Sequence, residues 1–161
     1  LKELVSNIKI TLDGERIAVD NTDVTTEIRT AEIGEMSSQV SALPVIRAGL
    51  FAIQRDLCLQ GNVVIEGRDT GTTIFPESEN KFFLDAGIEE RAGRRYEELR
   101  SKNPDITLEQ TIEDIRKRDL RDSTRESSPL RKTDDMVYID STPFSIDEVI
   151  EKILEELKSK A

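Results

Sequence analysis

The alternation of apolar and polar residues predicts a β-hairpin close to the start of the chain. In "IKITLDGERIAV", residues 8–19, apolar positions alternate on either side of Asp13-Gly14, a dipeptide that favours a tight hairpin turn. The next segment, "VTTEIRTAEIGEMSSQVSAL", predicts the end of a strand followed by a helix. Pro44 then opens a further helix with apolar residues at helical spacing: Val45, Ile46, Leu50, Ile53 and Leu57.

Three short apolar runs further along the chain predict strands. "NVVIEGRDTGTTIF", residues 62–75, places apolar residues before a turn bracketed by glycines. "NKFFLDA", residues 80–86, is a second run of the kind that buried parallel strands show, and "DMVYID", residues 135–140, is a third. We expect the first two runs to lie at the centre of a sheet.

Helical patterns separate and follow these strands. "IEERAGRRYEELRSK", residues 88–102, has Glu–Arg spacing that supports a polar helix. Thr107 with Gln110, and Ser145 with Glu148, have the spacing of capping boxes that begin two more helices. Strands that alternate with helices from residue 62 to residue 160 predict an α/β fold with a parallel sheet.

Composition indicates one cytoplasmic domain. The chain has 161 residues, of which 36% are hydrophobic and 35% charged, and no apolar run approaches the length of a membrane span. Its start lacks the apolar core of a signal peptide, and the single Cys58 cannot form an internal disulfide. Because the chain contains no histidine, histidine bases, histidine metal sites and serine–histidine triads are excluded.

One segment is basic in an otherwise acidic chain. Residues 116–132 carry seven basic and three acidic residues, so the rest of the chain sums to −14, which is the net −10 minus +4. This pattern argues against a general nucleic-acid binder and favours a small polyanion held by arginines. If a helix continues through residue 125, four residues share one face, although a solvated face of mutually paired charges remains an alternative. These four are Arg118, Arg121, Asp122 and Arg125.

Two other segments carry candidate binding residues. Arg68 and Asp69 follow the apolar run at 63–65, and ligands of open α/β sheets bind beyond the carboxyl ends of strands. An ordinary turn with a surface ion pair is an equal alternative, and the segment is a poor phosphate loop because no lysine follows its glycines. In "SSQVSALPVIR", the Ser38 hydroxyl and the Arg47 cation are explained equally well by a helix cap and a surface arginine.

Taken together, these segments resemble bacterial cytidylate kinases from about residue 7 to the end of the chain. The matching segments, in order, are "EIRT", "SSQVSALPVIR", "EGRDTGTTIFP", "RRYEEL", "RDLRDSTR", "PL" and "IDST". The resemblance implies a kinase that transfers the γ-phosphoryl group of ATP to CMP or dCMP with Mg²⁺. It also implies an α/β fold of the P-loop kinase type, in which helices flank a parallel sheet.

The same resemblance implies how the chain is divided. Residues 1–47 would form an insertion that binds the nucleoside monophosphate, and residues 116–132 would form a mobile lid. Residues 48–115 and 133–161 would form the core. The implied partners are the small molecules CMP or dCMP and ATP, with no nucleic acid and no membrane, and the oligomeric state stays open.

The resemblance also implies roles for single side chains. Ser38 and Asp69 would contact the cytosine or the sugar, and Asp122 would meet the sugar hydroxyls. Four arginines would hold the nucleotide or its phosphates, with the first the least certain of them: Arg29, Arg47, Arg68 and Arg118.

For the reaction itself, the resemblance implies Arg118, Arg125 and Asp69 as catalytic residues. Arg125 would reach the phosphate being transferred, and Arg118 and Arg125 would both contact ATP. Phosphoryl transfer leaves the protein mostly positioning and charge stabilisation to perform, and arginines supply both. No metal ligand is implied among the residues of this chain.

The sequence departs from the family pattern in two places. The family begins with a strand, a GxxxxGK[ST] loop and a segment with D-[ST]-G-A-x-Y-R, and this sequence contains none of them. We therefore expect the chain by itself to lack productive ATP binding, as a fragment, a truncated product or one half of a split enzyme. We also expect exposed apolar surface that an association would cover. Glu66 stands where the family typically has Asp, which puts a role near the metal in doubt.

Two alternatives belong to other functional classes. The chain could be a non-catalytic nucleotide-binding or partner-binding module that kept the fold after losing its ATP site. It could also be an acidic interaction domain whose arginine face is incidental.

Overall fold

The structure is a computed structural model that describes residues 2–58, 61, 63–101 and 103–160. The chain forms two compact units, which are described one at a time. The first comprises Leu1–Phe75 and Thr124–Pro129, and the second comprises Pro76–Ser123 and Leu130–Ala161. The expected insertion, core and lid, with boundaries at residues 47, 115 and 132, stay a prediction.

The first unit begins with a short helix and a small antiparallel sheet. Helix α1 (Lys2–Asn7) precedes strands β1 (Ile10–Asp13), β2 (Arg16–Val19) and β3 (Thr22–Asp23). Strand β1 pairs with β2 in antiparallel register, Asp13 opposite Arg16, so the predicted hairpin is confirmed. Its turn needs a left-handed backbone, and Gly14 supplies it with φ of 57°.

Two helices complete most of the first unit. A short 3₁₀ helix (Glu27–Arg29) precedes helix α2 (Ala31–Val40). Thr30 is the N-cap of α2, and its hydroxyl accepts a hydrogen bond from the Ile33 amide. Helix α3 (Pro44–Asp56) has the predicted proline in its first turn. Helices α1 and α3 pack closely, since a Cβ at Gly49 would lie 2.3 Å from the Val5 side chain.

The prediction of a central strand before Gly67 is wrong. No strand forms over residues 63–67, and Val64 is fully exposed. A strand needs a neighbour to receive its backbone hydrogen bonds, and this run pairs with neither sheet among the described residues. The chain instead continues into a five-residue π-helical turn, Thr70–Ile74, which we call the π-turn.

The second unit contains a parallel strand pair. Strands β4 (Phe82–Asp85) and β5 (Val137–Asp140) confirm two of the predicted strands and run parallel, with Phe82 opposite Val137. This sheet has two strands in the described part of the chain, and Leu84 and Tyr138 on them are about half exposed. The predicted central position of β4 is therefore wrong for the described residues.

Three helices flank this sheet: α4 (Ile88–Arg100), α5 (Leu108–Thr124) and α6 (Ile146–Ser159). Both predicted capping boxes are confirmed, Thr107 with Gln110 at α5 and Ser145 with Glu148 at α6. Helix α5 ends at Thr124, so the assumption that it continues through residue 125 is wrong.

No single helix in the described ranges is long and apolar enough to cross a bilayer. Only α2 and α3 taken as a pair, from Glu32, reach the required length and composition, and they are bent by 105° at their junction.

Candidate functional site

Three charged side chains from distant parts of the sequence meet in the first unit. A guanidinium nitrogen of Arg47, on α3, donates to Oδ2 of Asp69. Nη2 of Arg125 lies 3.6 Å from Oδ1 of the same carboxylate. All three side chains are largely buried: Arg47 is 15% exposed, Asp69 13% and Arg125 5%. We call these three residues the Asp69 cluster.

Backbone and hydroxyl oxygens hold the two arginines of the cluster in place. Nη1 of Arg47 donates to the Ser41 carbonyl at 3.1 Å, and Nη1 of Arg125 donates to the Ser41 hydroxyl at 3.4 Å. Nε and Nη2 of Arg125 both donate to the Ser128 carbonyl, at 2.8 and 2.6 Å. These bonds fix the orientations of both guanidinium groups.

The π-turn presents Asp69 to these arginines. The Asp69 carbonyl accepts hydrogen bonds from the amides of Thr72, Thr73 and Ile74, at 3.3, 2.8 and 3.4 Å. π-Helical turns are rare and frequently occur at functional sites. Gly67 is needed here for close packing, because a Cβ at this position would lie 2.3 Å from the Thr70 hydroxyl.

The other predicted residues of this unit have different surroundings. Ser38 is buried on α2, and its carbonyl accepts a hydrogen bond from the Ser41 hydroxyl at 3.0 Å. Arg68 is half-buried directly before Asp69. Arg29 is exposed at the end of the 3₁₀ helix, and no hydrogen bond or ion pair between described residues joins it to the Asp69 cluster.

The second unit holds the other predicted pair, Arg118 and Asp122, one turn apart on α5. Nε of Arg118 lies 3.8 Å from Oδ2 of Asp122. The Asp122 side chain is 3% exposed and the Arg118 side chain 46% exposed. The Asp122 carbonyl also accepts a hydrogen bond from the Leu130 amide at 2.8 Å, so the chain returns to α5 at this residue.

Polar groups also gather at the carboxyl ends of β4 and β5. Asp140 accepts hydrogen bonds from the Thr142 hydroxyl and amide, at 2.6 and 2.9 Å, and these bonds lower the pKa of its carboxyl group. The Tyr138 hydroxyl donates to Asp85 at 3.3 Å, and desolvation followed by the Asp85 charge raises the pKa of Tyr138. This edge contains the "IDST" segment.

Sequence reasoning missed three residues around the Asp69 cluster. Ser41 and Ser128 contribute through backbone carbonyls or a hydroxyl, and no sequence pattern distinguishes them from neighbouring serines. Arg55 donates to the Ile74 carbonyl, at the end of the π-turn. Its position two turns after Arg47 on α3 was the available signal.

The chemistry of the Asp69 cluster suits anions. Two guanidinium groups surround one carboxylate, so the three charges sum to +1 in a poorly solvated position. A carboxylate presents oxygens to arginine much as a phosphate does, and both accept paired hydrogen bonds. Within residues 2–58, 61, 63–101 and 103–160, no three acidic or cysteine side chains are placed to share a metal ion.

Helices beside a parallel strand pair, as in the second unit, are typical of α/β proteins. Arginines such as those of the first unit are typical of sites that bind phosphate groups. The cytidylate kinase family model matches residues 1–159. The chain therefore belongs to the cytidylate kinase family, whose fold is of the P-loop kinase type.

Curated relatives agree with the family match. The cytidylate kinase of Carboxydothermus hydrogenoformans is 45% identical over 92% of this chain and 67% of its own length. The cytidylate kinase of Geobacter sulfurreducens is 46% identical over 86% of this chain and 59% of its own length. The cytidylate kinase of Bacillus pumilus is 45% identical over 96% of this chain and 69% of its own length. The chain thus spans about three fifths to two thirds of the length of such relatives.

Proposed function

We propose that this chain binds CMP or dCMP as part of a nucleoside monophosphate kinase. The enzyme would transfer the γ-phosphoryl group of ATP to the monophosphate and release CDP or dCDP. The Asp69 cluster carries the proposal, because it joins two arginines from distant segments on one carboxylate. Membership of the cytidylate kinase family supports the choice of substrate.

The proposed roles follow the chemistry of each side chain. Ser38 and Asp69 contact the cytosine or the sugar, and Arg47 and Arg68 hold the nucleotide. Arg125 meets the phosphoryl group in transfer, where a fixed guanidinium stabilises the charge that develops on the oxygens. An arginine in this role can contribute about 10³- to 10⁵-fold in rate.

Residues outside the cluster complete the proposal. Arg118 holds the nucleotide and contacts ATP, and Asp122 meets the sugar hydroxyls. Arg29 remains the least supported member, because it is exposed and has no described contact with the Asp69 cluster. The resemblance to the family supports these three roles.

The residues described fit the phosphates of ATP better than they fit its metal. Guanidinium groups such as those of Arg118 and Arg125 bind phosphate oxygens, whereas no described group of carboxylates is placed to hold a cation. In the proposed enzyme, Mg²⁺ would neutralise charge on the β- and γ-phosphates of ATP. The cellular location we propose is the cytoplasm.

Titration calorimetry with CMP tests the binding half of the proposal. We expect saturable binding of one CMP, and binding weakened about tenfold or more by Arg47→Met and by Arg125→Met. Lys117→Met is the matched control, since Lys117 is exposed and its partner is the exposed Glu113. Absence of CMP binding to the parent chain would refute the proposal.

A coupled assay of ADP release, with ATP, Mg²⁺ and CMP, tests the catalytic half. We expect CMP-dependent turnover when the chain is joined to a segment that carries the GxxxxGK[ST] loop of the family. Binding of CMP without any turnover would instead identify a non-catalytic nucleotide-binding module.

A further inference from the structure

The π-turn that presents Asp69 is weakly favoured by its own sequence. The segment "TGTTI" contains one glycine and four β-branched residues, and both kinds lower helix propensity. The turn is held by Phe75 N–H donating to the Thr70 carbonyl at 2.8 Å and by the amides that donate to the Asp69 carbonyl. A short turn of this kind needs tertiary contacts to persist, because local bonds alone seldom stabilise one helical turn.

Arg55 supplies such contacts at the far end of the turn. Its Nη1 donates to the Ile74 carbonyl, at the last residue of the π-turn. Its guanidinium carbon lies 5.0 Å from the centre of the Phe75 ring and 5.8 Å from that of Phe51, within the range of cation–π attraction. The guanidinium therefore joins a backbone carbonyl and two aromatic rings.

Two arginines of helix α3 thus form hydrogen bonds with both ends of the segment 69–75. Arg47 donates to the Asp69 carboxylate at the start, and Arg55 donates to the Ile74 carbonyl at the end. Arg55 follows Arg47 by eight positions, which corresponds to about 12 Å along a helix. The position of Asp69 relative to α3 consequently depends on both attachments.

We propose that Arg55 is a positioning residue, which fixes the π-turn on α3 so that the Asp69 carboxylate stays between Arg47 and Arg125. Arg55 itself contacts no substrate in this proposal. The consequence for nucleotide binding rests on the proposed function, whereas the consequence for the π-turn does not.

Hydrogen exchange of backbone amides tests the structural part without any nucleotide. We expect the amides of Thr72, Thr73 and Phe75 to exchange about tenfold faster in Arg55→Met, while amides of the β1–β2 hairpin keep their rates. Arg55→Lys keeps a donor and a cation, so its rates should fall between those of Arg55→Met and the parent. Arg16→Met removes the exposed contact of Arg16 with Asp23 in the same unit, and it should leave the exchange rates of the π-turn amides unchanged.

The outcomes separate the two proposals. Unchanged exchange at Thr72, Thr73 and Phe75 in Arg55→Met overturns the positioning role, whatever the nucleotide result. If Arg55→Met does not fold, Arg55→Gln decides the question, because it removes the cation and shortens the side chain. Rates for the π-turn amides equal to those of the parent in Arg55→Gln overturn the positioning role.

Calorimetry with CMP then measures the functional consequence. We expect binding to weaken about tenfold in Arg55→Met and to recover partly in Arg55→Lys, because a misplaced carboxylate costs affinity without loss of the fold. A parent chain that fails to bind CMP refutes the proposed function and leaves the exchange result to decide the role of Arg55. Faster exchange with unaltered CMP affinity would show that Arg55 holds the turn and that Asp69 does not depend on it.

Discussion

The Asp69 cluster and the Arg118–Asp122 pair both join arginine to aspartate, but they are built differently. Arg47 and Asp69 lie 22 residues apart in sequence, whereas Arg118 and Asp122 lie one turn apart on α5. Every side chain of the cluster is at most 15% exposed, whereas Arg118 is 46% exposed. The first arrangement exists only if several segments fold together. In the second, the contact needs only a helix, whereas the burial of Asp122, which is 3% exposed, needs tertiary packing.

This difference decides how much each arrangement contributes to stability. In the second arrangement only the arginine is exposed, because Asp122 is 3% exposed. The half-exposed Arg118 guanidinium lies 3.8 Å from the carboxylate, so water and salt screen its charge and we expect it to contribute about 0.3–0.5 kcal/mol, as arginines in exposed i, i+4 pairs do. Removing one partner of a buried pair costs about 3–5 kcal/mol, since the other charge is left without compensation. The cluster therefore couples the candidate site to the fold, whereas Arg118 can be changed without loss of the fold.

The largest expected effect is that of Asp69→Asn. We expect the free energy of unfolding to fall by about 3 kcal/mol, because two buried guanidinium groups lose their shared carboxylate. Urea denaturation followed by circular dichroism would measure it. Glu113→Gln removes the exposed partner of Lys117 and is the matched control, with little change expected. Equal losses for the two variants would contradict the difference between buried and exposed pairs.

Arg118→Ala should separate binding from stability. We expect nucleotide binding to weaken about tenfold, equivalent to about 1.4 kcal/mol, while the unfolding midpoint stays nearly unchanged. Lys117→Ala on the same helix also breaks an i, i+4 pair, with Glu113 at 3.6 Å, and should alter neither property. Calorimetry with CMP and with ATP provides the measurement. A destabilised Arg118→Ala protein would show that this pair is part of the fold.

Two glycine variants compare tertiary and local requirements. Gly67→Ala should destabilise the chain by about 1–2 kcal/mol, because its Cβ would lie 2.3 Å from the Thr70 hydroxyl beside the Asp69 cluster. Gly93→Ala on α4 meets nothing within 4 Å and should stabilise the chain by up to about 1 kcal/mol. Thermal unfolding of both variants is the test, and changes of the same sign would contradict this interpretation.

The smallest expected effect concerns pH. Hydrogen bonds from Thr25, followed by the contact with Arg16, lower the pKa of Asp23 from 3.8 to about 2. A lowered folded-state pKa stabilises the hairpin above about pH 4, and this contribution is lost as the pH falls towards 2. Carboxyl NMR titration should show that Thr25→Val raises the pKa of Asp23 more than Arg16→Met does. A larger rise in Arg16→Met would reverse the assigned order of causes.

Local signals in the sequence predicted most of the helices and the hairpin. Asp13-Gly14 predicted the hairpin turn, Pro44 predicted the start of α3, and Ser145 with Glu148 predicted the capping box of α6. These features depend on residues close together in sequence, so a short window contains their cause. The same holds for the one-turn spacing of Arg118 and Asp122 on α5.

The strand prediction before Gly67 failed for a physical reason. Val63, Val64 and Ile65 have the β-branched side chains of a buried strand, yet the run forms no strand in the described part of the chain. Strand formation requires a partner that receives backbone hydrogen bonds, and composition cannot supply one. "NKFFLDA" formed a strand because residues 137–140, more than fifty residues later, pair with it.

By itself, the sequence determined the local elements, the absence of histidine chemistry and, through its motifs, the family to which the chain belongs. Only the tertiary structure decided that Arg47 and Arg125 meet on Asp69, that a π-turn presents this carboxylate, and that Arg55 holds the far end of that turn. Contacts between distant segments depend on how the whole chain packs, so the spacing of residues along the sequence cannot fix them.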